Sequence, residues 1–195
     1  MSDLSLSQRR VETWDARTLT AEQALNIGEL LARIWPKPNV TAADRAAQQI
    51  AFGRGYAGHD AQAPRSYVVL DGGRVIAHAL IFARTVRTLA GELTIAALAR
   101  VCSDPDRRGQ GLGEAVVRAA FAPVDGGDFA FSLFQTSHRV RPFYEKLGCV
   151  LVDNPITNSL GEAPKASPFW DEIVMRYPAT GAWPSGTIDL RGPGY

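Results

Sequence analysis

Apolar positions along the chain switch between helical and strand spacing, and each switch marks an element. Ile27, Leu30, Leu31 and Ile34 recur at intervals of three and four, behind the capping box Thr20-Ala21-Glu22-Gln23 and ahead of Pro36. This predicts a first helix that Pro36 ends. Residues 41–52, rich in Ala and Gln, predict a second helix closed by Gly53 and Gly55. Residues 66–70 and 74–85 predict strands joined by the hairpin signal Asp71-Gly72-Gly73, and residues 11–14 a short first strand. Gly91-Glu92 then turns the chain into a strand over residues 93–102. No internal repeat or low-complexity tract interrupts this order, which predicts an α/β domain.

The next segment carries chemistry. Arg107-Arg108-Gly109-Gln110-Gly111-Leu112-Gly113 follows a strand and opens a helix with apolar Leu112, Ala115, Val116, Ala119 and Ala120. Glycines let the backbone turn tightly and bring successive N–H groups close to a ligand. A helix start adds unpaired N–H groups and a partial positive charge, so a phosphate or pyrophosphate suits it. Arg107 and Arg108 place further positive charge at the rim. The spacing is not the dinucleotide fingerprint, whose third glycine lies three residues after the second. Nor is it a P-loop, because no Lys-Ser or Lys-Thr pair follows.

Read as Arg-x-x-Gly-x-Gly at Arg108, Gly111 and Gly113, the turn resembles the coenzyme A pyrophosphate loop of the GNAT superfamily of N-acetyltransferases. A second segment, Arg141-Pro142-Phe143-Tyr144-Glu145-Lys146-Leu147-Gly148-Cys149, resembles that family's later helix beside the thiol arm of the coenzyme. Val140, Phe143, Tyr144 and Leu147 form its stripe, Gly148 stops it, and residues 150–152 read as a following strand. Residues 129–134 predict another strand between the two segments. The resemblance implies an α/β (α+β) fold with a mixed, mostly antiparallel central sheet flanked by helices. It implies acyl transfer from acetyl-CoA, the donor co-substrate, to an amine.

The same resemblance assigns roles. Arg108, Gly109, Gln110, Gly111, Leu112 and Gly113 would hold the pyrophosphate. The main chain of Val101, Cys102 and Ser103 would receive the thioester carbonyl and pantetheine, and Ser137 stands where the family often has Asn. Tyr144 matches the position whose hydroxyl serves the leaving thiolate; its alternative is a core tyrosine. Cys102 reads more simply as a small buried filler than as an acyl carrier. The general base is not evident: Ala99 and Arg100 stand where many members place a glutamate, and Glu92 lies at the start of the strand. His78 sits in an apolar run suited to a core histidine, and His138 precedes the Tyr144 helix as a candidate substrate contact.

Beyond residue 153 the pattern thins. Residues 154–168 predict a polar, Pro-containing loop, 171–177 a last strand, and 183–195 a tail packed back on the domain. The tail's Trp-Pro-x-Gly-Thr-Ile run resembles the nodulation N-acyltransferases. Ile76-Ala77-His78-Ala79 and Ser137-His138-Arg139-Val140-Arg141 are similar to segments of the aminoglycoside 2′-N-acetyltransferases. These short likenesses imply an amino-sugar acceptor. Two roles stay open for the tail. Asp189 and Tyr195, through its terminal carboxylate, would bind a cationic acceptor, or the segment is a structural strap or homodimer contact.

Composition bounds the remainder. The 195 residues predict one domain, 1–195, with a core of useful size. A net charge of +1 offers no general attraction to nucleic acid or an anionic membrane, and no apolar run approaches a bilayer span. Met1-Ser2-Asp3-Leu4-Ser5 lacks a signal-peptide pattern, which predicts a cytoplasmic protein. Two cysteines in no CxxC or Cys/His cluster predict reduced thiols and no metal. A protein lysine or N-terminal acetyltransferase, and a silent acetyl-CoA-binding module, are the competing functions.

Overall fold

The computed structural model describes residues 10–195, so the expectation for Met1 to Ser5 lies outside the described residues. Two compact units are formed, one from the chain up to Ile81 with Arg100–Ala120, the other from Phe82–Ala99 with Phe121–Tyr195. The strands are β1 (Val11–Asp15), β2 (Arg65–Asp71), β3 (Arg74–Thr88), β4 (Gly91–Ser103), β5 (Ser132–Thr136), β6 (Val150–Leu151), β7 (Ile156–Thr157), β8 (Ile173–Tyr177) and β9 (Ile188–Asp189). The helices are α1 (Ala21–Ile34), α2 (Ala42–Arg54), α3 (Leu112–Asp125) and α4 (Arg141–Lys146). Together they make a mixed, mostly antiparallel sheet flanked by helices. No described helix is long and apolar enough to cross a membrane.

In the first unit β1 pairs antiparallel with β2, and β2 with β3 through the Asp71-Gly72-Gly73 turn. Gly72 and Gly73 have φ of +56° and +79°, values that suit glycine and match a tight hairpin. The predicted capping box opens α1: the Thr20 hydroxyl accepts from the Gln23 N–H, and the Gln23 side chain accepts from the Thr20 N–H. A second box at Thr41 and Asp44 opens α2. Gly53 is not the stop expected for α2. It lies inside the helix, where a Cβ would overlap the Ala16 carbonyl oxygen, so it is glycine for close packing; Gly55 is the C-cap. Ala16, Leu19, Ile27, Leu30, Leu31, Val68, Val75 and Cys102 form this unit's core.

In the second unit β5 pairs parallel with β4, and β8 lies antiparallel between β5 and β6. The strand expected at 129–134 starts later, at Ser132. Phe129 and Phe131 are buried as loop anchors, so their apolar character reflects burial rather than a strand. Nor is β8 the last strand: β9, in the tail, pairs with β3 at Arg87↔Asp189 and in parallel with β7 at Ile156↔Ile188. Two-residue strands are too short to show any period, and only the tertiary register reveals them.

Side chains fasten that tail. Asn154 Oδ1 accepts from Trp183 Nε1 at 2.7 Å, and Asn154 Nδ2 donates to the carbonyls of Pro184 and Gly186. Gln135 Nε2 donates to the Tyr195 main-chain oxygen at 2.7 Å, while Gln135 Oε1 accepts the N–H groups of Trp170 and Asp171. The Tyr195 ring packs edge-on to Phe82 and Phe169, both at 5.2 Å, and its hydroxyl donates to the Leu133 carbonyl at 3.0 Å. Tyr195→Phe should therefore cost about 1 kcal/mol, one part-buried hydrogen bond. Tyr195→Ala should cost about 3 kcal/mol or more, because a ring-sized cavity is left. Urea unfolding midpoints measure both, and equal midpoints for wild type and Tyr195→Ala would show that the tail is not fastened by this ring.

Candidate active site

The glycine turn is held from behind by charge. Where β4 ends, the Asp104 N–H donates to the Ile76 carbonyl at 2.8 Å. Its carboxylate, nearly buried, accepts Arg33 Nη1 and the Asp106 N–H, each at 2.9 Å. Arg33 Nη2 reaches Asp106 at 2.6 Å, so one guanidinium clamps both acids of the 3-10 turn Pro105–Arg107. Arg107 pairs with Asp71 of the β2–β3 hairpin at 2.5 Å. It thus serves as a strut as well as a rim charge, whereas Arg108 is exposed.

After this anchor Gly109 and Gly111 take φ of +76° and +69°, and among the described residues no atom beyond the adjoining ones lies within 4 Å of where a Cβ would stand on either. The left-handed backbone requires glycine there, and the space beside it is open. The Ala115 N–H donates to the Gly111 carbonyl at 3.0 Å, so the first turn of α3 begins at Gly111. The N–H groups of Leu112 and Gly113 then have no acceptor within the helix. The face of α3 is rotated from the expected one: Leu112, Val116, Val117 and Ala120 are buried, while Ala115 and Ala119 are only partly so.

Upstream, the last part of β4 is bent at Arg100, a non-glycine residue with φ of +54°. This is a costly conformation that its surroundings must impose. The fully buried His78 supplies part of that constraint. Its Nδ1 lies 2.9 Å from the Arg100 carbonyl and its Nε2 3.1 Å from Ser66 Oγ. A carbonyl only accepts, so Nδ1 carries the proton and Nε2 accepts from the Ser66 hydroxyl. Burial drives the His78 pKa down to about 4, against the opposing pull of the Arg100 carbonyl bond. A neutral imidazole with both nitrogens engaged has no lone pair for proton abstraction. Beyond the bend, Val101 and Ser103 are half-buried, and Cys102 enters the core. Burial pushes its thiol up to about 12, which leaves it a filler rather than a thiolate.

The Arg100 guanidinium turns toward α2. Its Nη1 donates to Gln49 Oε1, and it lies 5.9 Å from the Phe52 ring centre. Burial and the nearby Arg45 charge hold its pKa below the usual arginine value. Arg45, Gln49 and Phe52 sit at i, i+4 and i+7 on one helix face. The sequence pattern showed this segment only as Ala- and Gln-rich. A signal was present in that spacing, but polar residues on a helix face ordinarily point to solvent.

Tyr144, in the second unit, is buried on α4 against Phe134 at 4.5 Å and Phe143 at 5.0 Å. The Ser137 carbonyl accepts the N–H groups of Val140 and Arg141 and so starts the α4 turn, while His138 is exposed. Glu92 is engaged by Arg191 at 2.5 Å. Asp189 accepts the N–H groups of Ser159 and Arg191, each at 2.9 Å. Asp189 and Tyr195 are thus both occupied within the tail's own fastening. Val101, Cys102, Ser103 and the Arg108–Gly113 turn belong to the first unit; Ser137, His138, Tyr144, Asp189 and Tyr195 belong to the second.

Residues 15–152, more than half of the chain, match the family profile described as an acetyltransferase (GNAT) domain. No curated protein matches the chain. Among solved structures, a GNAT family N-acetyltransferase (YhbS) from Escherichia coli in complex with CoA is 14% identical, with a TM-score of 0.63 over 97% of this chain and 93% of that one. Glucosamine-6-phosphate N-acetyltransferase from Arabidopsis thaliana is 18% identical, with a TM-score of 0.56 over 83% of this chain and 99% of that one. A conserved protein of Enterococcus faecalis is 17% identical, with a TM-score of 0.55 over 73% of this chain. This chain spans about a third (32%) of that protein. At these identities the likeness is one of fold.

His78 makes stability acid-sensitive. Its folded pKa, about 4, lies below the ordinary value of 6.5, so between those values the unfolded chain binds a proton that the folded chain refuses. Stability is present above pH 6.5 and is lost as pH falls toward 4, by about 3 kcal/mol at most. His78→Gln should be less stable at pH 7 yet lose less on going to pH 4.5. Denaturant titrations at both values measure this, and an unchanged pH-dependence in the variant would rule out the histidine as its source.

Proposed function

We propose that this chain, which belongs to the GNAT acetyltransferase family, moves an acetyl group from acetyl-CoA to the amine of a small molecule, with amino sugars the favoured acceptors. The observation that carries the donor half is the Gly109–Gly111 turn, left-handed at both glycines and open where a side chain would stand. The N–H groups from Gly109 to Gly113 bind the pyrophosphate, and Arg108 at the exposed rim adds charge. Gln110 and Leu112 are held in this turn and contribute through the main chain.

The reaction makes four demands. An ammonium with pKa about 10 is neutral in only roughly one molecule in a thousand at pH 7, so the acceptor must lose a proton before it attacks. The nitrogen must be held about 3–3.5 Å from the thioester carbon. The oxyanion needs N–H donors, a role we assign to the main chain of Val101–Ser103, with Ser137 beside the pantetheine. As the N–C bond forms and the C–S bond breaks, the leaving thiolate takes the Tyr144 phenol proton, and water returns the amine's proton to the phenolate. With His78 engaged and neutral and Glu92 tied to Arg191, water rather than either side chain takes the first proton. His138, exposed ahead of α4, is assigned to the acceptor.

Tyr144→Phe should keep CoA affinity and lower kcat by roughly 10²–10⁴, the usual contribution of one positioned acid. Full kcat in that variant would make the tyrosine a packing residue. Gly111→Val should abolish CoA binding in calorimetry, because a valine must leave the left-handed conformation and fills the open side of the turn. Circular dichroism verifies that the variant is folded, and unchanged CoA affinity in folded protein would overturn the assignment of the turn. Release of free thiol with a panel of amines separates this reading from a silent binding module, and acetylation of peptides separates it from a protein acetyltransferase.

A further inference from the structure

Two arginines of the first unit lie near one another without an acid between them. Arg100 is largely buried, and its charge is disfavoured both by burial and by Arg45. Neither guanidinium forms an ion pair among the described residues, although Arg17, Arg33, Arg107, Arg118, Arg141 and Arg191 all do. Arg45 spends one nitrogen on the Trp35 carbonyl, and Arg100 one on Gln49 Oε1. Two donors at this place are buried with no acceptor among the described residues: Arg45 Nε and Gln49 Nε2, the latter on a residue with no exposed surface. Like charges at short range, one of them desolvated, are unfavourable unless an anion joins them. A buried N–H without an acceptor adds a further penalty. Three residues on two elements thus present cation and N–H donors and lack an oxyanion.

Position gives this cluster a role. Arg100 directly precedes Val101–Ser103, the segment assigned to the thioester, and Arg45 also acts on the Cys102 thiol electrostatically. We propose that Arg45, Gln49 and Arg100 recognise an oxyanion on the acceptor, a carboxylate or a phosphate monoester, so that the substrate is an amine that also bears an acid group. This rests on the acyl-transfer reading above and narrows its acceptor. Guanidinium pairs with either oxyanion in two-point fashion, and the Gln49 N–H₂ adds a neutral donor. Fixing the anion at the end of β4 orients the amine for attack, while a neutral amine of the same shape leaves the buried donors unsatisfied and is disfavoured.

Acceptor kinetics test this with matched pairs: glucosamine 6-phosphate against glucosamine, and an α-amino acid against its amide, with an aminoglycoside as a polycationic control. The acidic member of at least one pair should have a kcat/KM about 100-fold higher or more, and which pair responds distinguishes phosphate from carboxylate. Arg45→Gln, on the half-exposed face of α2, should raise the KM of that acceptor about 10- to 100-fold and leave the KM for acetyl-CoA unchanged. Gln49→Leu, which keeps the helix packed, should weaken the same acceptor alone. Equal kcat/KM for acidic and neutral members, or an unchanged acceptor KM in Arg45→Gln, overturns the proposal. If CoA binds and no amine is acetylated, the catalytic reading fails by itself. Titration with inorganic phosphate and acetate then decides the anion site: binding lost in Arg45→Gln sustains it, and no binding to wild type overturns it.

Discussion

The hydrogen bond from His78 Nδ1 to the Arg100 carbonyl is the constraint on which the bend near the end of β4 depends. A residue with a side chain resists φ of +54° inside a strand, so the bend persists only because several contacts demand it. The imidazole takes the carbonyl and Ser66 orients the imidazole, while Gln49 and the Phe52 ring engage the guanidinium. The cost falls on His78, which must stay neutral in a buried site. A side chain of catalytic type is thereby used to shape backbone, and the backbone it shapes leads into Val101–Ser103.

The same economy of charge runs through the first unit. Arg33 clamps Asp104 and Asp106, and Arg107 holds Asp71, so the turn that precedes the glycines is braced on both sides by opposite charges. Such partly exposed pairs contribute little stability individually. Their effect is geometric: they set where the first N–H groups of α3 point. The pair Arg45 and Arg100 is built otherwise, with cation and donor in excess.

In the second unit a single amide does comparable work. Gln135, at the end of β5, accepts two N–H groups from the segment before β8 and donates to the final residue. With Asn154 on Trp183 and Asp189 on Ser159, it converts a polar, proline-rich stretch into ordered structure without a long strand or helix. The apolar anchors Ile188, Leu190, Trp183 and Tyr195 join the core of Ile95, Phe131, Leu133 and Phe169. Hydrogen bonds from side chains replace the ladder bonds that two-residue strands cannot supply.

Local signals determined the elements and the family. Capping boxes, the Asp71-Gly72-Gly73 hairpin, the glycine turn and the Tyr144 helix are written in neighbouring residues, because each is a short-range steric or hydrogen-bonding preference. The motifs are local for the same reason, and the family profile spans both of them. Four features needed the tertiary structure. Gly53 is a contact with Ala16, not a helix stop. Phe129 and Phe131 are buried outside a strand, and β7 and β9 exist only through their pairing. Arg45, Gln49 and Arg100 are brought together from segments 51 residues apart at Gln49 and Arg100, and Arg100 alone looks like a missing glutamate. Periodicity and motif report what a residue prefers among its neighbours in sequence. Which charge meets which, and which donor is left without an acceptor, is decided by contacts between distant segments.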